Sequence, residues 1–90
     1  MIGKDIESAL NKQISAEANS SHLYLAMASW AETRGYEGVS NFFYSQSDEE
    51  RQHMLKLVKY VNERGGHAHI PEINEPSKMF DCLTHLSVVT

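Results

Sequence analysis

Three residues in this 90-residue chain, Glu17, Glu50 and His53, have the types and spacing of a metal site. Glu50-Arg51-Gln52-His53 is a Glu-x-x-His step, which sets a carboxylate and an imidazole on one helical face about a turn apart. Glu17 belongs to an earlier helical stretch and falls on its apolar stripe. A buried carboxylate without a partner is costly, so the cluster implies a bound cation or an acid that keeps its proton. Of the two, the cation is the favoured reading. Hard oxygens with an imidazole suit iron, manganese or zinc, and no thiolate joins the pattern. Two plainer readings stand beside it: a Glu and a His on a solvated helix surface, or a core histidine paired to a carboxylate.

Positioning these residues takes two helices. From Lys4 to Arg34 one stripe reads Ile6, Leu10, Gln13, Glu17, Ser20, Tyr24, Met27 or Ala28, and Ala31, stepping by three and four. Gly35 suits the left-handed position past a helix end. The short link Gly35-Tyr36-Glu37-Gly38 predicts an antiparallel neighbour. A second helix is expected over about 38–64, with the stripe Val39, Phe43, Gln46, Glu50, His53, Leu57 and Tyr60 or Val61. Arg64 and Gly65-Gly66 stop it. Residues 65–76 read as a loop, and Ser77 could cap a short helical tail over 77–90 with Met79 or Phe80, Leu83 and Leu86 on one side. The fold expected is therefore all-α, a long antiparallel helical hairpin forming a single domain. With a hairpin point near residue 35 or 36, Glu17 lies about 28 Å from the turn and Glu50 and His53 about 21 to 26 Å from it. All three meet at one height.

Leu23, Leu25, Met27 and Trp30 lie partly off the first stripe. A helix that is apolar on several sides needs several neighbours, more than one hairpin supplies, so self-association is expected. The composition bounds the rest. An apolar share of 41% and a charged share of 22% describe an ordinary globular chain. A net charge of -4 without a Lys or Arg run argues against nucleic acid as a partner. Cys82 stands alone, which excludes an internal disulfide framework and fits a reducing compartment. No stretch reads as a signal peptide or a membrane span, so cytoplasm is the expectation. His67-x-His69 could be a second metal clip, but a solvated loop explains it more simply.

Several segments together resemble the first half of a bacterial non-haem ferritin. They are Glu17-Ala-Asn-Ser-Ser-His-Leu-Tyr24, Tyr36-Glu-Gly38 with Phe42-Phe43, Asp48-Glu-Glu-Arg-Gln-His-Met54, Gly65-Gly66, Pro71-Glu-Ile73 and Pro76-Ser-Lys-Met-Phe80. The resemblance covers roughly residues 1 to 80. It implies half of a ferritin-like four-helix bundle and an iron(II)-oxidising di-iron centre linked to iron storage, with dioxygen or peroxide as oxidant. It also implies roles: Glu17 a terminal ligand, Glu50 a carboxylate bridging two irons, His53 the imidazole on the first iron. Tyr24 would be a neighbour of the site and a candidate electron donor, or simply a core tyrosine. Glu49 would serve an accessory iron or be an exposed helix glutamate.

The departures from the family narrow the reading. Haem-carrying bacterioferritins place a methionine directly after the bridging glutamate; here Arg51 stands there, so no haem is expected. A rubrerythrin-like protein would add a Cys-rich iron domain. The spaced His and acid pattern of the DNA-protecting mini-ferritins is not seen. Ferritin subunits have four bundle helices, whereas this chain stops where the third should begin. A dimer about a two-fold axis would supply Glu17, Glu50 and His53 twice, as such bundles require. The alternative is a non-catalytic helical assembly module or a truncated fragment that retains part of the site.

Overall fold

The computed structural model describes residues 2–76. Two helices fill most of that span, α1 at Lys4–Thr33 and α2 at Glu37–Glu63, packed antiparallel. Both end within a residue of the expected positions, and α2 starts one residue early because the Ser40 amide already donates to the Tyr36 carbonyl (2.8 Å). The helical hairpin is half of a four-helix bundle, and no strand occurs among the described residues.

Both helices stop by the same mechanism. Gly35 has φ 79°, and the Tyr36 and Gly35 amides donate back to the Ala31 and Glu32 carbonyls at 2.9 and 3.1 Å. At the other end Gly65 has φ 84°, with the Gly66 and Gly65 amides on Val61 and Asn62 at 3.0 and 3.3 Å. These paired bonds satisfy carbonyls that the helix itself leaves open, and the left-handed residue between them favours glycine.

The seam between the helices corrects one expectation. The buried residues are Ile14, Ala18, Met27, Ala28 and Ala31 of α1 with Ser40, Phe43, Ser47 and Val61 of α2. Met27, Ala28 and Phe43 form one cluster, and Ile14, Val61 and Ala68 another. The expected stripes lie in the core at Met27, Ala28, Ala31, Phe43 and Val61 and depart from it at Ile6, Gln13 and Tyr60. Ile6 is accordingly 58% exposed, and Gln13 and Tyr60 are exposed rather than core. A hairpin's own contact takes one narrow band, so the stripe residues beside that band stay exposed.

Small hydroxyl residues hold the seam close. Ser21 Oγ donates to the Ser47 carbonyl and Ser47 Oγ to the Ser21 carbonyl, each at 2.7 Å. Ser40 Oγ donates to the Ala28 carbonyl at 3.0 Å. Each bond satisfies a hydroxyl that would otherwise be buried at a cost.

The segment after α2 folds back along the N-terminal part of α1. Asn11 clips it by donating to the His67 carbonyl (3.1 Å) and accepting from the His69 amide (2.8 Å). The Ala68 amide donates to Asn62 Oδ1 (2.9 Å), and the Ile2 amide to the Arg64 carbonyl (2.8 Å). This loop was expected to be simply solvated; its side chains His67 and His69 are exposed, but Ala68 is buried against Ile14 and Val61. Gly66 makes that approach possible. A Cβ there would meet Ile2 Cγ2 at 2.9 Å and the Val61 carbonyl oxygen at 3.2 Å. Gly66→Ala is therefore expected to destabilise by about 1–2 kcal/mol through overpacking, and chemical denaturation measures it; unchanged stability would show that the loop yields freely. The expected helical tail, with Ser77, Met79, Phe80, Cys82, Leu83, His85 and Leu86, lies outside the described residues.

Candidate metal centre

Helical phase and the turn length together bring the three candidate ligands to one point. Glu17, on α1, and Glu50 and His53, one turn apart on α2, each offer a ligand atom, and these atoms lie within 4.8 Å of one another. His53 Nδ1 stands 3.8 Å from Glu17 Oε2. Glu17 is largely covered, its side chain 14% exposed, and Glu50 is half-buried. His53 was expected to face the core; its side chain is instead 47% exposed, because it sits on the open side of the hairpin. No other group of three or more His, Cys, Asp or Glu converges this way among the described residues.

The electrostatics leave one atom in deficit. Gln13 Nε2 donates to Glu17 Oε1 at 3.0 Å, an i to i+4 pair that sequence spacing could have flagged. Oε2 of Glu17 is buried and, with both acids ionised, has no hydrogen-bond donor. Contact with the Glu50 carboxyl holds Glu17 below the ordinary value of 4.5, against a smaller upward push from burial, with Gln13 and His53 adding to the lowering. The same contact, with burial and the Glu17 charge, holds Glu50 above it. The two acids behave as a pair that gives up one proton readily and keeps the other.

That splitting fixes how the metal-free chain responds to pH. The lowered Glu17 contributes stability that is present above its unfolded value and lost as pH falls through its folded one. For Glu50 the contribution is present below its unfolded value and lost as pH rises through the raised folded one. The pair is thus expected to favour folding most near pH 4.5, with stability falling on either side. Urea unfolding in chelator, for the parent and for Glu17→Gln with Glu50→Gln, checks this. Parallel pH profiles would refute the coupling.

The other candidates fall around this centre. Tyr24 stacks on Phe43 with ring centroids 5.6 Å apart. It lies two helical turns along α1 from Glu17, about 10 Å, and does not belong to the ligand group. Glu49 is exposed and accepts weakly from Gln46 (3.5 Å). Sequence reasoning missed the Ser21–Ser47 pair, which sits one turn from both carboxylates: Ser21 follows Glu17 by four residues and Ser47 precedes Glu50 by three.

A family model for the ferritin-like domain matches residues 7–89. The chain belongs to the ferritin family. It is 41% identical over 80 residues to a bacterial non-heme ferritin of Staphylococcus haemolyticus, a match covering 89% of this chain and 48% of the relative. It is 39% identical over 83 residues to the bacterial non-heme ferritin of Staphylococcus aureus, covering 92% of this chain and 50% of the relative. Among solved structures, a humanized archaeal ferritin superposes with a TM-score of 0.90 at 36% identity, covering 98% of this chain and 55% of that one. The chain thus spans about half the length of the ferritins it matches.

The donor set fits a divalent first-row metal. Two carboxylates and an imidazole are hard to borderline ligands, and a cation between them would supply the charge that Glu17 Oε2 lacks. Glu17, Glu50 and His53 would hold such an ion, Glu17 from a covered position and His53 from an exposed one. No described helix is long and apolar enough to cross a membrane.

Proposed function

We propose that this chain binds iron(II) through Glu17, Glu50 and His53 and takes part in its oxidation to iron(III), linked to iron storage. The observation that carries the reading is the convergence of the covered Glu17 carboxylate with a second carboxylate and an imidazole, one ligand atom of each within 4.8 Å of the others. Membership of the ferritin family supports it, and relatives named as non-heme ferritins share about two residues in five with this chain. Iron is the substrate. Two iron(II) ions each give one electron; dioxygen takes both with two protons as hydrogen peroxide, or peroxide takes them with two protons as two waters. Glu17 and Glu50 hold the ions by charge and release the shared proton as metal binds. His53 fixes direction and leaves positions open for oxidant. Tyr24, on the same side of α1, is the candidate electron relay, and Arg51 following Glu50 speaks against haem. The working assembly is a homo-oligomer, and the compartment the reducing cytoplasm.

The test is anaerobic titration of the chain with iron(II), followed by admission of air. Saturable binding and rapid formation of iron(III) absorbance support the proposal. Iron that remains unbound, or that oxidises no faster than in buffer, overturns it. A second reading, a helical assembly module that keeps ancestral ligands without turnover, draws on the 47% exposure of the His53 side chain. Binding without accelerated oxidation would favour it.

A further inference from the structure

Glu17 is held by one of its two oxygens, and we propose that Gln13 is the positioning residue that aims it. The Gln13 carboxamide engages Oε1 and so presents Oε2 to the ion. This role rests on the metal-binding reading above and adds how that ligand is directed. Gln13 Nε2 donates to Glu17 Oε1 at 3.0 Å. Four residues separate the two on α1, a spacing at which helical side chains meet. Oε2 is buried and turned to α2, 3.8 Å from His53 Nδ1. The two oxygens of one carboxylate therefore have different surroundings, one bonded to an amide and one directed at the ligand group.

A glutamate without a partner samples several rotamers, and its terminal carboxylate turns freely. Either oxygen, or both, can then meet a cation. An amide on Oε1 disfavours chelation through both oxygens and leaves Oε2 as the ligating atom. Gln13 is itself exposed, so little packing depends on it; what its carboxamide supplies is direction. The second helix provides the contrast. Gln46 precedes Glu50 by the same four residues, yet its Nε2 lies 3.5 Å from Glu49 Oε2. That amide goes to a neighbouring acid, at the limit of a hydrogen bond. Equal spacing with unequal partners singles out Gln13.

Cobalt(II) titration of the full chain, with infrared difference spectra of the carboxylate stretches, tests this. Gln13→Met keeps the side-chain length and removes the donor. It should retain the parent helicity and urea midpoint yet lose about tenfold or more in cobalt affinity, as loss of a ligand's outer partner does. The separation between antisymmetric and symmetric carboxylate bands should narrow as Glu17 turns to chelate. Gln13→Asn keeps the amide but withdraws it by one carbon, about 1.5 Å, and should behave like Gln13→Met. Gln46→Met makes the same change at the matching place on α2 and should leave affinity and bands as in the parent. Parent affinity and bands in Gln13→Met would overturn the positioning role and leave the metal reading intact. So would parent affinity in Gln13→Asn, an equal loss in Gln46→Met, or a loss in Gln13→Met that follows lost helicity. A parent chain that binds no cobalt, or binds it equally after Glu17→Ala, overturns both.

Discussion

Glu50→Ala is expected to lower iron(II) affinity and the oxidation rate by more than ~100-fold. Losing an outer partner of a metal ligand already costs 10–100-fold, and Glu50 is itself a ligand candidate that faces both Glu17 and His53. The same change should leave the metal-free chain as stable as the parent or more so near neutral pH. Glu50 is the member of the pair whose ionisation the fold resists, and without it the Glu17 carboxylate faces one fewer acid. Activity and stability are thus predicted to move in opposite directions, a signature of a group retained for binding. Iron(II) titration and urea unfolding on one preparation measure both. A variant that is merely unstable, with its remaining folded fraction fully active, would show that Glu50 serves the fold instead.

Ser47→Leu is the substitution expected to disturb the fold most. Ser47 is 9% exposed in the seam, where its hydroxyl donates to the Ser21 carbonyl while Ser21 returns the bond. A leucine loses one hydrogen bond, worth about 1 kcal/mol, and forces the helices apart at an overpacking cost of about 1–3 kcal/mol. The loss should reach about 3 kcal/mol. Because the serines lie one turn from Glu17 and Glu50, the same wedge separates the carboxylates and weakens iron(II) binding although every ligand remains. Ser47→Ala provides the control: it removes the hydroxyl without adding volume, so it should cost about 1 kcal/mol and leave iron(II) affinity within a factor of two or three. Should alanine and leucine weaken binding equally, helix spacing is not what the serines set.

The small hydroxyl residues also show where sequence reading reached its limit. Ser21 and Ser47 are unremarkable in a helical pattern, since serine on a helix reads as surface. Only the antiparallel approach of two backbones makes them a reciprocal clip. Asn11 is similar, because nothing local announces that its carboxamide will meet the backbone of residues 56 and 58 positions away. Helix existence and stops, by contrast, are local matters. Periodicity three and four, Gly35 and Gly65 sufficed for them, and the two positive-φ glycines stand where the expected stops required.

The meeting of Glu17, Glu50 and His53 at one height was determined by the sequence itself, because rise per residue and turn length are nearly invariant in a helical hairpin. The side of the hairpin on which they meet was decided only by tertiary structure. Two helices share one narrow seam, and small residues at Ala18, Ser21, Ala28, Ser40 and Ser47 let it close there. The ligands were thereby left at the edge of that seam, with Glu17 covered and His53 exposed. Periodicity reports that a face is apolar or charged, but which neighbour covers it depends on contacts between residues far apart in the chain.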